Sequence, residues 1–195
     1  MRNLVNLESV NFDYCKKITG DVGDALRNLV NLESVDFTLC KNITGDIEVF
    51  ANCPQLSCLR AEKTAITGDI SVFSNLTKVT RINMGHTDVS GDITVFEHTK
   101  QLKALDTYWC EKLTGDIKVF EHTKQLKTLD TSCCAELAGD IKVFDHTKLL
   151  EKLDMQDCRV TGGIEVFEHT KALETLDIRR CKEITGDIKV FEHTK

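Results

Sequence analysis

Apolar residues fall into eight near-copies of one pattern along the 195-residue chain. Each copy has a leucine-like residue, then two positions separated by a polar one, then Cys or Thr three residues on. In the first copy these are Leu7, Val10, Phe12 and Cys15, and in the second Leu32, Val35, Phe37 and Cys40. The third and fourth are looser: Leu56, Leu59, Ala61, Thr64, then Val79, Ile82, Met84, Thr87. Four more follow: Leu102, Leu105, Thr107, Cys110; Leu126, Leu129, Thr131, Cys134; Leu150, Leu153, Met155, Cys158; and Leu173, Leu176, Ile178, Cys181. The alternating pair has strand period and predicts a short strand with one inward face. One such strand cannot bury its face alone. Stacked copies build a continuous parallel sheet over a continuous core.

A second fixed element follows each strand. It is a Gly in a T-G-D-I-like context, at Gly20, Gly45, Gly68, Gly91, Gly115, Gly139, Gly162 and Gly186, with spacings of 23 to 25 residues. The Gly is read as a turn where a side chain would clash. After it a Val-Phe pair recurs, so Phe50, Phe73, Phe96, Phe120, Phe144, Phe167 and Phe191 are expected to form a spine on the other side of each coil. The first unit reads VGDALRN here, closer to a helical segment.

The repeat L-x-x-L-x-L-x-x-C resembles the leucine-rich-repeat family from about Leu4 to the last residue. The T-G-D-I tail looks like the plant-type L-x-G-x-I class, although the Pro that follows the Ile in that class is missing. The resemblance implies an α/β fold: a right-handed solenoid, horseshoe or gently twisted superhelix. A parallel sheet would line its concave face, with short helical turns or coil on the convex side. Residues 1–195 are read as a single domain without recognisable end caps, since no linker composition interrupts them and Pro54 is the only proline.

Composition narrows the function classes. The net charge of -6 argues against nucleic-acid binding, which usually needs a basic stripe. No apolar run reaches membrane-span length, and the first residues carry no signal-peptide pattern. Enzyme signatures such as G-x-S-x-G, a phosphate loop, H-E-x-x-H or an EF-hand loop are absent, and no cofactor is expected.

Three ladders are candidate chemistry, and each also has a scaffold reading. Six of the nine cysteines share one repeat position: Cys15, Cys40, Cys110, Cys134, Cys158 and Cys181. In the resembled family that position holds Asn or Cys bonded to the adjoining backbone. Thr64 and Thr87 replace it here. Disulfides between stacked units or metal binding are the alternatives. The odd count favours reduced thiols and a cytoplasmic setting. Cys133 lies on the expected exposed face as the thiol most open to reaction. His98, His122, His146, His169 and His193 recur in E/D-H-T-K, read as a solvated polar face because one ligand per unit does not converge on an ion. Asn11, Asp36, Arg60, Asn83, Asp106, Asp130, Asp154 and Asp177 form an outward row, acidic over its last four members. Calcium, a basic partner or solvation would compensate that charge. Plant-type repeats often carry Asp at this point.

The two residues before each Cys/Thr position differ in every unit. They are Asp13-Tyr14, Thr38-Leu39, Glu62-Lys63, Gly85-His86, Tyr108-Trp109, Ser132-Cys133, Gln156-Asp157 and Arg179-Arg180, and they hold the only Trp and both Tyr residues. Interface hot spots are enriched in Trp, Tyr and Arg. The expectation is a non-catalytic scaffold that binds a protein or peptide on the concave face and this variable edge. The candidate residues are Tyr14, Lys63, His86, Tyr108, Trp109, Asp130, Asp154, Arg179 and Arg180. The rival is a structural spacer or assembly subunit that associates end to end.

Overall fold

The computed structural model describes residues 4–193. Eight three-residue strands, from Ser9–Asn11 to Thr175–Asp177, form one parallel sheet in strict chain order. Their register matches the repeat: Val35 lies between Val10 and Leu59, and Leu129 between Leu105 and Leu153. These central residues are buried, as the period-two reading expects.

A second eight-stranded parallel sheet, from Thr19–Asp21 to Glu183–Thr185, is built on the T-G-D element. The hydrophobic pattern did not predict it. Its strands carry little apolar alternation. They form because stacked units bring identical backbones to inter-strand distance.

From Gly45 onward its positive-φ glycines are required by that stacking. Gly115 has φ +119°, and a methyl there would stand 2.3 Å from Asp92 Oδ1 of the preceding unit. That Asp has its own task. Asp46, Asp69, Asp92, Asp116 and Asp140 each accept the backbone N–H two residues on, at 2.7–2.9 Å, and cap the 3₁₀ helix that follows.

Six-residue 3₁₀ helices run from Ile47–Asn52 to Ile188–His193, and the first unit has the α-helix Val22–Leu26 instead. They are the expected short helical turns. The E/D-H-T-K segment closes them: Thr99, Thr123, Thr147 and Thr170 are buried, and each hydroxyl donates to the Phe carbonyl three residues back at 2.7–2.9 Å.

The core lies between the two sheets and the 3₁₀ helices. Phe50, Phe73, Phe96, Phe120, Phe144 and Phe167 are all fully buried, each worth about 1.5–3 kcal/mol of transfer free energy. Phe191, counted in the same spine, is instead 38% exposed, because no described unit packs beyond it.

Candidate functional site

The cysteine ladder is a backbone-bonding device. Cys40, Cys110, Cys134, Cys158 and Cys181 are buried, and each thiol donates to a carbonyl of the preceding unit at 2.9–3.2 Å. Thr64 and Thr87 do a related job within their own unit, donating to the Ala61 and Met84 carbonyls at 2.7 and 2.6 Å. Burial pushes the Cys158 thiol up to about 12. All nine cysteines are free.

Two expectations need correction. Cys15 is exposed rather than part of the buried ladder, since it belongs to the first unit and no carbonyl of a preceding unit lies beside it among the described residues. Cys133 is half-buried, and desolvation followed by the Asp157 carboxylate raises its thiol, so the accessible thiol is Cys15.

His98, His122, His146 and His169 lie exposed at the ends of successive 3₁₀ helices, and the His193 side chain lies outside the described residues. No group of three His, Cys, Asp or Glu is placed to hold a metal ion among the described residues.

The outward row is in register on the first sheet, Asp106 beside Asp130 and Asp130 beside Asp154. Most of its members have a local partner. Asn11, Asp36, Asn83, Asp106, Asp130, Asp154 and Asp177 each accept the N–H two residues on, at 2.9–3.4 Å. Arg60 is the exception, and it reaches back to Asp36 at 3.1 Å. The Asp or Asn therefore shapes the turn that carries the variable pair. Crowding still has a cost: burial and then the Asp130 charge raise Asp106 to about 6, and burial raises Asp154 as well.

The variable pairs form one continuous edge. The second member of every pair has a left-handed backbone: Tyr14, Leu39, Lys63, His86, Trp109, Cys133, Asp157 and Arg180 have φ between 55° and 63°. Non-glycine residues adopt this conformation rarely. The ladder supports it in the first seven units, where the N–H of each such residue donates to the next unit, as His86 does to the Tyr108 carbonyl at 2.8 Å and Trp109 to Ser132 at 2.9 Å. The main chain and the repeated Asp or Asn hold the turn and leave the second side chain of the pair free to vary.

Four of the predicted residues meet at the centre. His86 meets the Tyr108 ring edge-on at 4.9 Å and lies against Trp109, also at 4.9 Å with the planes 30° apart. The Lys63 ammonium stands 5.5 Å from the Tyr108 ring centroid. Trp109 is 50% exposed. The remaining candidates lie apart. Tyr14 is exposed at one end beside Lys16, and Arg179 and Arg180 at the other end pair with Asp177 and Asp157 at 2.7 and 3.2 Å. Asp130 and Asp154 lie on the sheet beside the edge.

Sequence reasoning placed Glu62 and Gly85 in the variable pairs but left them out of the candidate residues. Glu62 accepts from the Tyr108 hydroxyl at 2.8 Å, and Gly85 lies beneath the Tyr108 ring. The available signal was the smallest residue of the column standing one unit before its largest.

Two depressions flank these features. One of about 310 Å³ lies over the first sheet, lined by Tyr14, Arg60, Glu62, Arg81, Asn83 and Asp106 among others. A larger one of about 760 Å³ lies on the 3₁₀ side, between Asp140, Lys142, Val143, His146, Gly163 and Glu165. Its lining mostly repeats from unit to unit, apart from Gly163 in place of the capping Asp, and it is far in sequence register from the variable pairs.

No protein-family model matches the sequence, and a sequence search of curated proteins gives no match. Solved structures match in shape. The ectodomain of the Arabidopsis receptor kinase HAESA, in complex with an N-terminally extended IDA peptide hormone ligand, superimposes with a TM-score of 0.74 at 18% identity, covering 95% of this chain and 32% of that one. Internalin C2 from Listeria monocytogenes gives 0.69 at 12% identity, covering 96% of this chain and 77% of that one. The internalin inlF from the same organism gives 0.65 at 19% identity, covering 99% and 66%. The chain thus spans about a third of the HAESA ectodomain, and 66% and 77% of the two internalins. Repeat pattern, two-sheet topology and these likenesses agree: the chain has the leucine-rich-repeat fold.

Proposed function

We propose that this chain is a non-catalytic scaffold that binds a protein or peptide through the first sheet's outer face and the adjoining variable edge. One observation carries the reading. The pairs that differ in every unit stand on one edge, on turns held by the main-chain ladder and the repeated Asp or Asn. Their side chains do not set the backbone of the turn, and the central members form an aromatic cluster. Plant receptors of this fold, in complex with peptide hormones, support binding of this general kind. The test is the affinity of a partner captured from the source organism for the wild type and for Trp109→Ala. A central anchor costs about 2 kcal/mol, roughly 30-fold. Unchanged affinity removes Trp109 from the site.

The rival reading, an assembly subunit that joins through its ends, is distinguished by oligomeric state. Oligomers that grow with concentration in a sizing experiment favour it, and a monomer at all concentrations rejects it.

A further inference from the structure

Tyr108 does not project from the solenoid. Its ring lies across unit four, and its hydroxyl bonds to Glu62, 46 residues earlier in the chain. Only glycine fits beneath it. A methyl at Gly85 would stand 2.1 Å from Tyr108 Cε1 and 2.2 Å from Cδ1. Gly85 has no positive φ, so the ring, and not the backbone, excludes a side chain there. Glu62 also holds Lys63 at 2.9 Å, and Lys63 covers the ring. His86 is then packed between Tyr108 and Trp109. Three units are locked together, and the half-exposed indole is set in place before any partner arrives.

The charges of this edge are already spent. In units two to eight, every Asp, Glu, Lys and Arg of the variable pairs has an ion-pair partner: Lys63 with Glu62, Asp157 with Arg180, and Arg179 with Asp177. Between them lie His86, Trp109 and the half-buried Cys133. We infer that Gly85 and Glu62 are positioning residues for a preformed platform of His86 and Trp109, and that this platform takes an uncharged, apolar side chain of the partner. A preformed surface avoids the ordering cost of binding. A strip whose charges are paired favours an uncharged group over an ionic one, whereas the Asp106 to Asp177 row would draw a basic one. The inference rests on the proposed use of this edge.

Trp109 is the only tryptophan, so its fluorescence reports the platform without any partner. Gly85→Ala and Glu62→Ala shift Trp109 emission to longer wavelength with far-UV circular dichroism unchanged, and Glu62→Gln, which still accepts a hydrogen bond, restores the wild-type spectrum. The Gly85→Ala shift vanishes in a Tyr108→Ala background. A shift that persists there, or no shift at all, overturns the positioning role. The ligand class is tested with a random-peptide phage library selected on the immobilised full chain. The expected binders share an apolar or aromatic side chain, weaken about tenfold on Gly85→Ala, and change less than about twofold between low and high salt. A basic consensus that salt dissociates overturns the apolar assignment. Binders indifferent to both Gly85→Ala and Trp109→Ala overturn the use of the edge itself, while the fluorescence result stands on its own.

Discussion

Replacing Gly115 by Ala tests why each unit carries a glycine. The backbone there has φ +119°, where a non-glycine residue costs about 1–3 kcal/mol. The new methyl would also stand 2.3 Å from Asp92 Oδ1 and 3.0 Å from Ile93 Cγ1. The Asp92 carboxylate can move aside only by releasing the Thr94 N–H, which it accepts at 2.8 Å, and loss of such a cap costs about 1 kcal/mol. The sum is about 2–4 kcal/mol, read by urea unfolding followed by circular dichroism. Gly20 provides the control. Its φ is +148° and a methyl there meets nothing within 4 Å, so Gly20→Ala carries the backbone cost alone. In the double variant Asp92→Ala/Gly115→Ala the clashing carboxylate is gone, and the combined cost falls short of the sum of the singles by about 1 kcal/mol. A Gly115→Ala cost below about 1 kcal/mol, or equal to that of Gly20→Ala, refutes the reasoning.

Three further outcomes follow from the same structure. Thr123→Val removes the hydroxyl bond to the Phe120 carbonyl, which keeps the Thr123 N–H as a donor at 3.1 Å, so the loss in unfolding free energy is about 0.5–1.5 kcal/mol. Asp106 has a folded-state value near 6, above about 3.9 for an unfolded Asp, so its contribution is most favourable below about pH 4 and is lost as pH rises through about 6. Asp106→Asn keeps the acceptor for the Tyr108 N–H, as Asn83 does for Gly85, and should stabilise the chain on the order of 1 kcal/mol at neutral pH and hardly at all near pH 4; an equal difference at both would contradict this. A thiol reagent at mild alkaline pH should label Cys15 in the native chain and reach Cys134 and Cys158 only after denaturation, with mass spectrometry locating the label.

The sequence made the stacked architecture legible because the features that build it are local and recur. Leu129 and Phe120 announce inward positions by period, and Cys134 announces its ladder by recurrence. The second sheet was hidden, since Thr-Gly-Asp has no apolar alternation and pairs only because neighbouring units already align it. The left-handed turns were hidden for the opposite reason. Tyr, Leu, Lys, Trp and Cys share no chemistry that favours positive φ, and the cause is the ladder around them. The Asp row looked like a charge pattern, yet Asp130 and Asp154 each hold the following turn. The end units departed from the rule where a neighbour is missing among the described residues, as Cys15 and Phe191 show. Tyr108 and Glu62 meet across two units, a contact that no local pattern encodes.

The central claim is that binding uses the variable edge and not the 3₁₀ side. The direct measurement is isothermal titration of a captured partner against three forms: the wild type, Tyr108→Ala/Trp109→Ala, and His122→Ala/His146→Ala on the opposite side. The account predicts at least about 30-fold weaker binding for the aromatic pair and wild-type affinity for the histidine pair. Wild-type affinity for the aromatic pair, with loss for the histidine pair, would contradict it.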